Sequence, residues 1–287
     1  IYLINTFQDY YETKIVSRNS NNPIDVGEVI IRVTRPVRLT MYDGWAGNGG
    51  PGNGGHDMGG GPGDYGGGGS GSNPNTPNNT NPCEKMKAEN QNQKFKDKVT
   101  DLDKKDKFDL KKESGFAAAY GQPSSNYEPL PNNKKGNMTM LEGNKYYGYI
   151  HTHLDKTGVV KIFSPADVFT FLGVCVRNAE AKGSMSDAYG MVITSQGNYI
   201  IKYSGDGSFG IGPGTLSSWQ SWYDDKFTEL NDSKGLTQDN VEKLFTQFMD
   251  EKVKIDGLEV YKSDKGTGNT TKLKYNKATN SVVPTPC

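Results

Sequence analysis

The sequence predicts an α+β fold, a mixed or antiparallel β-sheet with helices packed on it. One observation is a set of short β-prone segments separated by Asn, Pro and Gly turns between residues 115 and 275. The other is a set of segments with apolar residues at helical spacing. Two of these segments follow N-cap signals, at Ser164 and at Thr237. Strands and helices mixed in this way favour a sheet with flanking helices.

Composition divides the chain into three parts. Residues 1–43 contain β-prone segments at Val26–Thr34 and Val37–Tyr42, and we expect these strands to pair with a partner, such as another surface protein. Residues 44–82 are rich in Gly, Pro and Asn, which predicts a flexible linker because such a segment buries too little surface to order itself. Residues 83–287 are predicted to form the folded domain.

The charge balance of the chain bears on the kind of partner that it can be expected to bind. The chain has 33 basic and 33 acidic residues, so its net charge gives no reason to expect a nucleic-acid or anionic-membrane partner. No apolar stretch reaches the roughly 18 residues that span a bilayer. The first residue is Ile1 rather than Met, so we expect a processed or truncated product, and any signal peptide would lie outside this chain.

Three cysteines leave two interpretations open. Cys83 opens the predicted domain and Cys287 is the last residue, so a bridge between them would join the ends of the domain. Cys175 lies inside an apolar helical run. A disulfide would indicate an exported protein, whereas three unpaired thiols would not.

The predicted elements follow in order along the domain. Cys83 to Lys112 has the composition of one or two amphipathic helices. Three short β-prone segments come next, at Phe116–Tyr120, Met138–Leu141 and Lys145–His153. Ser164 and Pro165 then signal a helix start, with Ser as N-cap and Pro at the first helical position.

Two hairpins and a helix complete the domain. Tyr189–Thr194 and Asn198–Tyr203 flank a Ser-Gln-Gly turn, which predicts a hairpin. A second helix begins at Thr237, with an apolar face formed by Val241, Leu244, Phe245, Phe248 and Met249. Leu258–Tyr261 and Thr271–Tyr275 predict the closing hairpin.

Two of the three histidines in the chain stand two residues apart, at His151 and His153. On a strand, side chains at positions i and i+2 leave the same face, so both imidazoles are predicted to point to one spot. Imidazole is a common zinc ligand, and a catalytic zinc typically takes three protein ligands. The pair therefore predicts a metal site, against the alternative of two exposed histidines at a strand end.

A third ligand is available eleven residues downstream of this pair, in Ser164-Pro165-Ala166-Asp167. Asp167 falls in the first turn of a predicted helix, where the backbone dipole favours a carboxylate. By itself, the same tetrapeptide is also an ordinary capping box. Its position after the histidine pair favours a metal ligand.

Together these residues resemble the JAMM (JAB/MPN) metallopeptidases, whose signature is a Glu, then His-x-His, a spacer and Ser-x-x-Asp. The resemblance covers about residues 110–205 and implies a JAMM/MPN-like, cytidine-deaminase-like mixed sheet with flanking helices. The spacer here is longer than usual in the family. The Glu that best matches is Glu113, although Phe116 and Tyr120 stand where the family has glycine; Glu142 is the competing candidate.

The resemblance implies that His151, His153 and Asp167 bind Zn²⁺. It also implies that Glu113 is the general base for the attacking water and that Ser164 stabilises the oxyanion. The expected function is zinc-dependent hydrolysis of a peptide or isopeptide bond in a peptide or protein substrate. We expect a secreted or cell-surface protein, bacterial in composition.

The leading alternative to this hydrolase is a catalytically inactive MPN-like module used for binding or structure in a bacterial cell-surface assembly. An amidohydrolase barrel also carries His-x-His, but it needs further histidines, and none follows His153. Cys175 as a nucleophile is disfavoured by its core position. His56, Trp45, Trp219 and Trp222 are interpreted as solvated or packing residues.

Overall fold

The computed structural model describes residues 81–121, 125–134, 136–156 and 159–287. The β-rich segment predicted at residues 1–43, and the linker predicted at residues 44–82 up to its last two residues, lie outside this part of the chain. The first helix begins at Pro82, next to the predicted domain boundary.

Eight strands form one mixed sheet, which confirms the α+β class. In chain order they are β1 (Gly115–Ala119), β2 (Asn126–Pro129), β3 (Tyr146–Thr152), β4 (Tyr189–Ile193), β5 (Asn198–Tyr203), β6 (Leu258–Ser263), β7 (Thr270–Asn276) and β8 (Ser281–Pro286). The order across the sheet is β2-β1-β3-β4-β5-β6-β7-β8. Neighbours are antiparallel except β3 and β4, which are parallel and need the crossover that runs through residues 153–188.

In the part of the chain that the structure describes, helices flank the sheet, and two of them begin at the predicted N-cap signals. They are α1 (Pro82–Gln91), α2 (Gln93–Leu102), α3 (Lys105–Phe108), α4 (Pro165–Thr170), α5 (Arg177–Ala181), α6 (Pro213–Ser233) and α7 (Gln238–Phe248). A π-helical stretch, Phe171–Val176, joins α4 to α5, and another, Met249–Val253, extends α7. Ser164 caps α4 and Thr237 stands at the N-cap of α7, as predicted.

The two faces of the sheet are covered by different helices. On one face, the Phe95 ring of α2 packs edge-on against Tyr189 of β4. On the other, the Tyr149 hydroxyl of β3 donates to the Asp167 carbonyl of α4 at 2.9 Å. Strands β3, β4 and β5 are buried along their whole length. The centre of the sheet is therefore the rigid part of the domain.

The prediction of a strand at Met138–Leu141 is wrong. The segment makes only one isolated bridge, Met138 with Asn132. The reason is that its apolar side chains, Met138 and Met140, are buried in packing contacts rather than aligned along a ladder. Edge strands β2 and β8 and the long helix α6 were not predicted.

A disulfide joins Cys83 to Cys287 across a separation of 204 residues, and Cys175 is free and buried. This settles the alternative that the sequence left open. The bridge ties α1 to the residue that follows β8.

Among the described residues, no helix is both long and apolar enough to cross a membrane.

Candidate metal centre

The histidine pair lies at the end of the central strand β3. His151 is the penultimate residue of β3 and His153 directly follows it, where its amide N–H still donates to the Ile193 carbonyl of β4 at 3.0 Å. Both imidazoles are 1% exposed. Their ring centroids are 5.1 Å apart, so the two rings meet on one face of the sheet, as the alternation of side chains predicts.

Pairing of β1 with β3 brings Glu113 to the same place. Gly115 is the register partner of His151, and Glu113 comes two residues earlier, just before β1. A Cβ at Gly115 would lie 2.7 Å from the Ile150 carbonyl oxygen and 2.8 Å from the His151 Cβ. A glycine is therefore required for this close approach of β1 to the histidine strand.

Asp167 is held by a capping box at the start of α4. Its Oδ2 accepts hydrogen bonds from the Ser164 amide at 2.7 Å and from the Ser164 hydroxyl at 2.9 Å. The Asp167 amide donates to the Ser164 Oγ at 3.2 Å. The capping box is therefore confirmed, and its hydrogen bonds hold the Asp167 carboxylate beside the histidines, where the predicted role as a metal ligand requires it.

Two distances between polar atoms of the cluster are close to the spacing of metal ligands. Asp167 Oδ1 is 3.1 Å from His151 Nε2, and Asp167 Oδ2 is 3.6 Å from His153 Nε2. Ligand atoms about 2.0–2.1 Å from a tetrahedral zinc lie roughly 3.3 Å from one another. Glu113, His151 and His153 also form a buried group whose ligand atoms are within 4.8 Å of one another.

Several of these atoms have no hydrogen-bond partner although they are buried. They are both ring nitrogens of His151, Nε2 of His153 and Oδ1 of Asp167. Leaving buried polar atoms unpaired is costly, and such groups need an explanation. A cation placed among them would take the lone pair of one nitrogen of each imidazole and the free oxygen Oδ1 of Asp167, so the residues fit a bound metal; the second nitrogen of His151 would keep its proton.

His151 and Asp167 shift each other's pKa because they lie side by side. Burial by itself would lower the pKa of His151, but Asp167 and then Glu113 outweigh it and raise that pKa to about 10. Burial would raise the pKa of Asp167, but His151 and His153 hold it well below its usual range.

Surrounding groups orient the site. His153 Nδ1 lies 3.0 Å from the Val160 carbonyl oxygen, which leaves Nε2 facing Asp167. The Tyr223 hydroxyl of α6 donates to the Phe163 carbonyl at 2.8 Å and holds the residue before Ser164. Sequence reasoning missed Val160 and Tyr223, because backbone carbonyl contacts leave no pattern in the residue types.

The structure separates the other candidates from this centre. Glu142 is exposed in the turn before β3, whereas Glu113 is 5% exposed within the cluster. Cys175 is fully buried, and burial raises the pKa of its thiol far above the usual range, which makes it a poor nucleophile. Trp219 packs edge-on against Phe248 and belongs to the core; Trp45 and His56 lie outside the described residues.

A cavity of about 560 Å³ lies elsewhere, between the loop after β5 and the π-helical end of α7. Its lining includes Phe209, Trp219 and Lys252 but none of the five site residues. This cavity is therefore distinct from the candidate metal centre.

Comparison with known proteins finds no matching protein-family model, no matching curated protein and no matching solved structure. The resemblance to JAMM metallopeptidases therefore stays a prediction from the residues, and the function has to be inferred from the geometry of the site.

Proposed function

We propose that this protein is a zinc-dependent hydrolase of the JAMM type that cleaves a peptide or isopeptide bond. The observation that carries the proposal is the set of unpaired buried atoms of His151, His153 and Asp167 at metal-ligand spacing. His151, His153 and Asp167 would hold the ion. Bound there, zinc would supply a Lewis acid that activates water at neutral pH.

Glu113 is suited to move the proton. Its Oε2 lies 3.8 Å from His151 Nδ1, too far for a hydrogen bond, and accepts the Met138 amide at 3.3 Å. As a carboxylate beside the ligands, it would take a proton from the attacking water and return it to the leaving amine. That role needs Glu113 to be a base rather than a ligand.

Ser164 is suited to hold Asp167 and to meet the developing charge of the substrate. Its hydroxyl donates to Asp167 Oδ2, which leaves Oδ1 free for the ion. To stabilise the oxyanion, the hydroxyl would turn its single proton from Asp167 Oδ2 to the substrate oxygen, an interaction often worth about 3 kcal/mol, while the Ser164 amide keeps its hydrogen bond to Asp167.

The disulfide indicates the compartment in which this function would be carried out. Disulfides persist in oxidising surroundings, and the Cys83–Cys287 bridge supports a secreted or cell-surface protein. The substrate would then be an extracellular peptide or protein.

A second candidate is a non-catalytic MPN-like module in which metal, if bound, serves only the fold. The observation that favours it is the burial of the site: Glu113 is 5% exposed, Ser164 3%, His151 and His153 1%, and Asp167 0%. A structural zinc is closed to solvent, whereas a catalytic zinc keeps an open position.

Zinc content and peptide hydrolysis separate these functions. We expect the wild-type chain to bind about one equivalent of zinc by elemental analysis, and His151→Ala/His153→Ala to bind none. Glu113→Gln should keep the zinc and lose the turnover of a fluorogenic peptide library. No zinc in the wild type after zinc is supplied would refute the hydrolase, and zinc without any turnover would favour the second candidate.

A further inference from the structure

The closed state of the metal centre has a local cause. For hydrolysis, a substrate carbonyl has to come within about 3–3.5 Å of the attacking atom. None of the five site side chains is more than 5% exposed. Part of the surrounding chain therefore has to move before a substrate can enter.

One segment, residues 136–141 before β3, encloses Glu113 with backbone groups. The Met138 amide donates to Glu113 Oε2 at 3.3 Å, and the Glu113 amide donates to the Gly136 carbonyl at 3.0 Å. Asn132, which forms an isolated bridge with Met138, donates from its Nδ2 to the Glu113 carbonyl at 3.0 Å. We refer to residues 136–141 as the cover segment.

The side chain of Met138 reaches across to the other half of the site. It is 1% exposed and packs with Ala166, the residue between Pro165 and Asp167. Leu130, which follows β2, and Leu216 of α6 pack against Met138 and Ala166. Leu130 also packs against the main core, whereas Met138 and Ala166 are not part of it, so Met138 links Glu113 to the Ser-x-x-Asp motif through a small apolar contact of its own.

We propose that the cover segment gates the metal centre: displacement of Met138 from Ala166 and Leu216 opens the site to substrate. The effect of this gate on peptide hydrolysis rests on the proposed function, whereas its effect on access of small molecules to the site does not. Occlusion of Glu113 by Met138 makes the closed form inactive.

The contacts allow this movement without loss of the site. The cover segment is irregular, and apart from the bridge to Asn132 it forms no ladder in the part of the chain described. The apolar contact that has to break is the small Met138–Ala166 cluster, whereas Met140 can stay in the main core, and local opening of this kind costs less than global unfolding. The histidines stay fixed by β3, and Asp167 stays fixed by its capping box.

Accessibility of His153 in the metal-free protein tests the gate directly. The probe is diethyl pyrocarbonate, with the rate of His153 modification followed by peptide mass spectrometry. Met138→Ala and Leu216→Ala each remove one side of the contact, and we expect each to raise the rate at least about tenfold, the factor that corresponds to ~1.4 kcal/mol. Met140→Ala is the matched control, because Met140 is a buried methionine of the same segment that packs in the main core.

Every outcome bears on the gate. Faster modification in Met138→Ala and Leu216→Ala, with unchanged circular dichroism and with Met140→Ala like wild type, supports it. Equal rates in folded Leu216→Ala and wild type overturn it, even if Met138→Ala fails to fold. Equal acceleration by Met140→Ala also overturns it, because general loosening would then suffice.

Zinc and peptide assays on the same variants keep the two proposals distinguishable. If the gate variants expose His153 and hydrolyse peptides faster than wild type, both proposals hold. If they expose His153 but no variant cleaves a peptide, the gate stands and the hydrolase fails.

Discussion

The two carboxylates of the site lie against the same imidazole and have different surroundings. Asp167 keeps Oδ1 free while its Oδ2 is held by Ser164. Glu113 is held by a backbone amide and stands off His151 by 3.8 Å. These surroundings favour the proposed roles of Asp167 as ligand and Glu113 as base, although both could be ligands by proximity alone.

Replacing each carboxylate with its amide tests this division. Asp167→Asn should weaken zinc binding by more than the about 10–100-fold typical of an outer-shell partner, because a ligand is lost. Glu113→Gln should leave zinc affinity close to wild type. The measurement is competition with a chelator. Weak binding in Glu113→Gln with normal binding in Asp167→Asn would reverse the assignment and make Glu113 the ligand.

Ser164 links helix stability to metal affinity. Ser164→Ala removes the cap of α4 and the hydroxyl that holds Asp167. We expect a loss of about 1 kcal/mol in the free energy of unfolding and of about 10–100-fold in zinc affinity. Urea unfolding and chelator competition measure these. Ser164→Thr keeps the hydroxyl and serves as control; unchanged affinity in Ser164→Ala would show that the cap does not position Asp167.

At the scale of elements, β5 carries a buried charge on the face that α1 and α2 cover. Lys202 of β5 is 1% exposed and donates to the Ser186 carbonyl at 2.9 Å. Burial lowers its pKa from 10.5 to about 8, partly offset by Glu89 of α1. The face opposite the metal centre therefore has its own pH dependence.

The sign of that dependence is fixed by which state binds more protons. Between pH 8 and 10.5 the unfolded chain keeps the Lys202 proton and the folded one releases it, so the free energy of unfolding rises with pH. The rise attributable to Lys202 should approach ~3 kcal/mol. Urea unfolding of metal-free wild type and Lys202→Met across this range measures it as a difference.

Lys262→Met on the neighbouring strand β6 is the matched control, because the Lys262 side chain is 41% exposed. If the free energy of unfolding changed with pH in the same way in wild type and Lys202→Met, the buried charge of Lys202 would not explain the pH dependence.

At the scale of the whole molecule, one covalent link closes the domain. The Cys83–Cys287 bridge spans 204 residues of sequence, so its removal restores much freedom to the unfolded chain. Cys83→Ser/Cys287→Ser should lower the free energy of unfolding by about 2–5 kcal/mol. Each single substitution should cost about as much as the double. Urea unfolding gives the loss, and a loss below 1 kcal/mol would contradict the expectation.

Zinc content of the same bridge variants provides an internal control. It should be unchanged, because the proposed ligands His151, His153 and Asp167 lie at the end of β3 and the start of α4, away from the ends of the domain. A fall in zinc content would show that the bridge supports the site as well as the fold.

Features with a local physical cause were readable in the sequence. The His151–His153 pair follows from the two-residue period of a strand, and the start of α4 follows from Ser164 and Pro165. The hairpin of β4 and β5 follows from its turn residues. The α+β class follows from these elements together.

Features that depend on distant partners were not readable. Strands β2 and β8 contain prolines, which sequence rules count against strands but which the edges of a sheet tolerate because one side is unpaired. The segment at Met138–Leu141 has strand-like composition, yet its side chains pack on Ala166, Leu216 and the core.

The sequence by itself determined the class of the fold and the residues that meet at the site, because strand period and helix capping act over a few residues. Tertiary structure decided which glutamate joins the histidines, through the pairing of Gly115 with His151. It also decided that the site is closed, because Met138 meets Ala166 only after β2, β3 and α6 are assembled. Contacts between residues far apart in sequence depend on the whole packing and leave no local pattern.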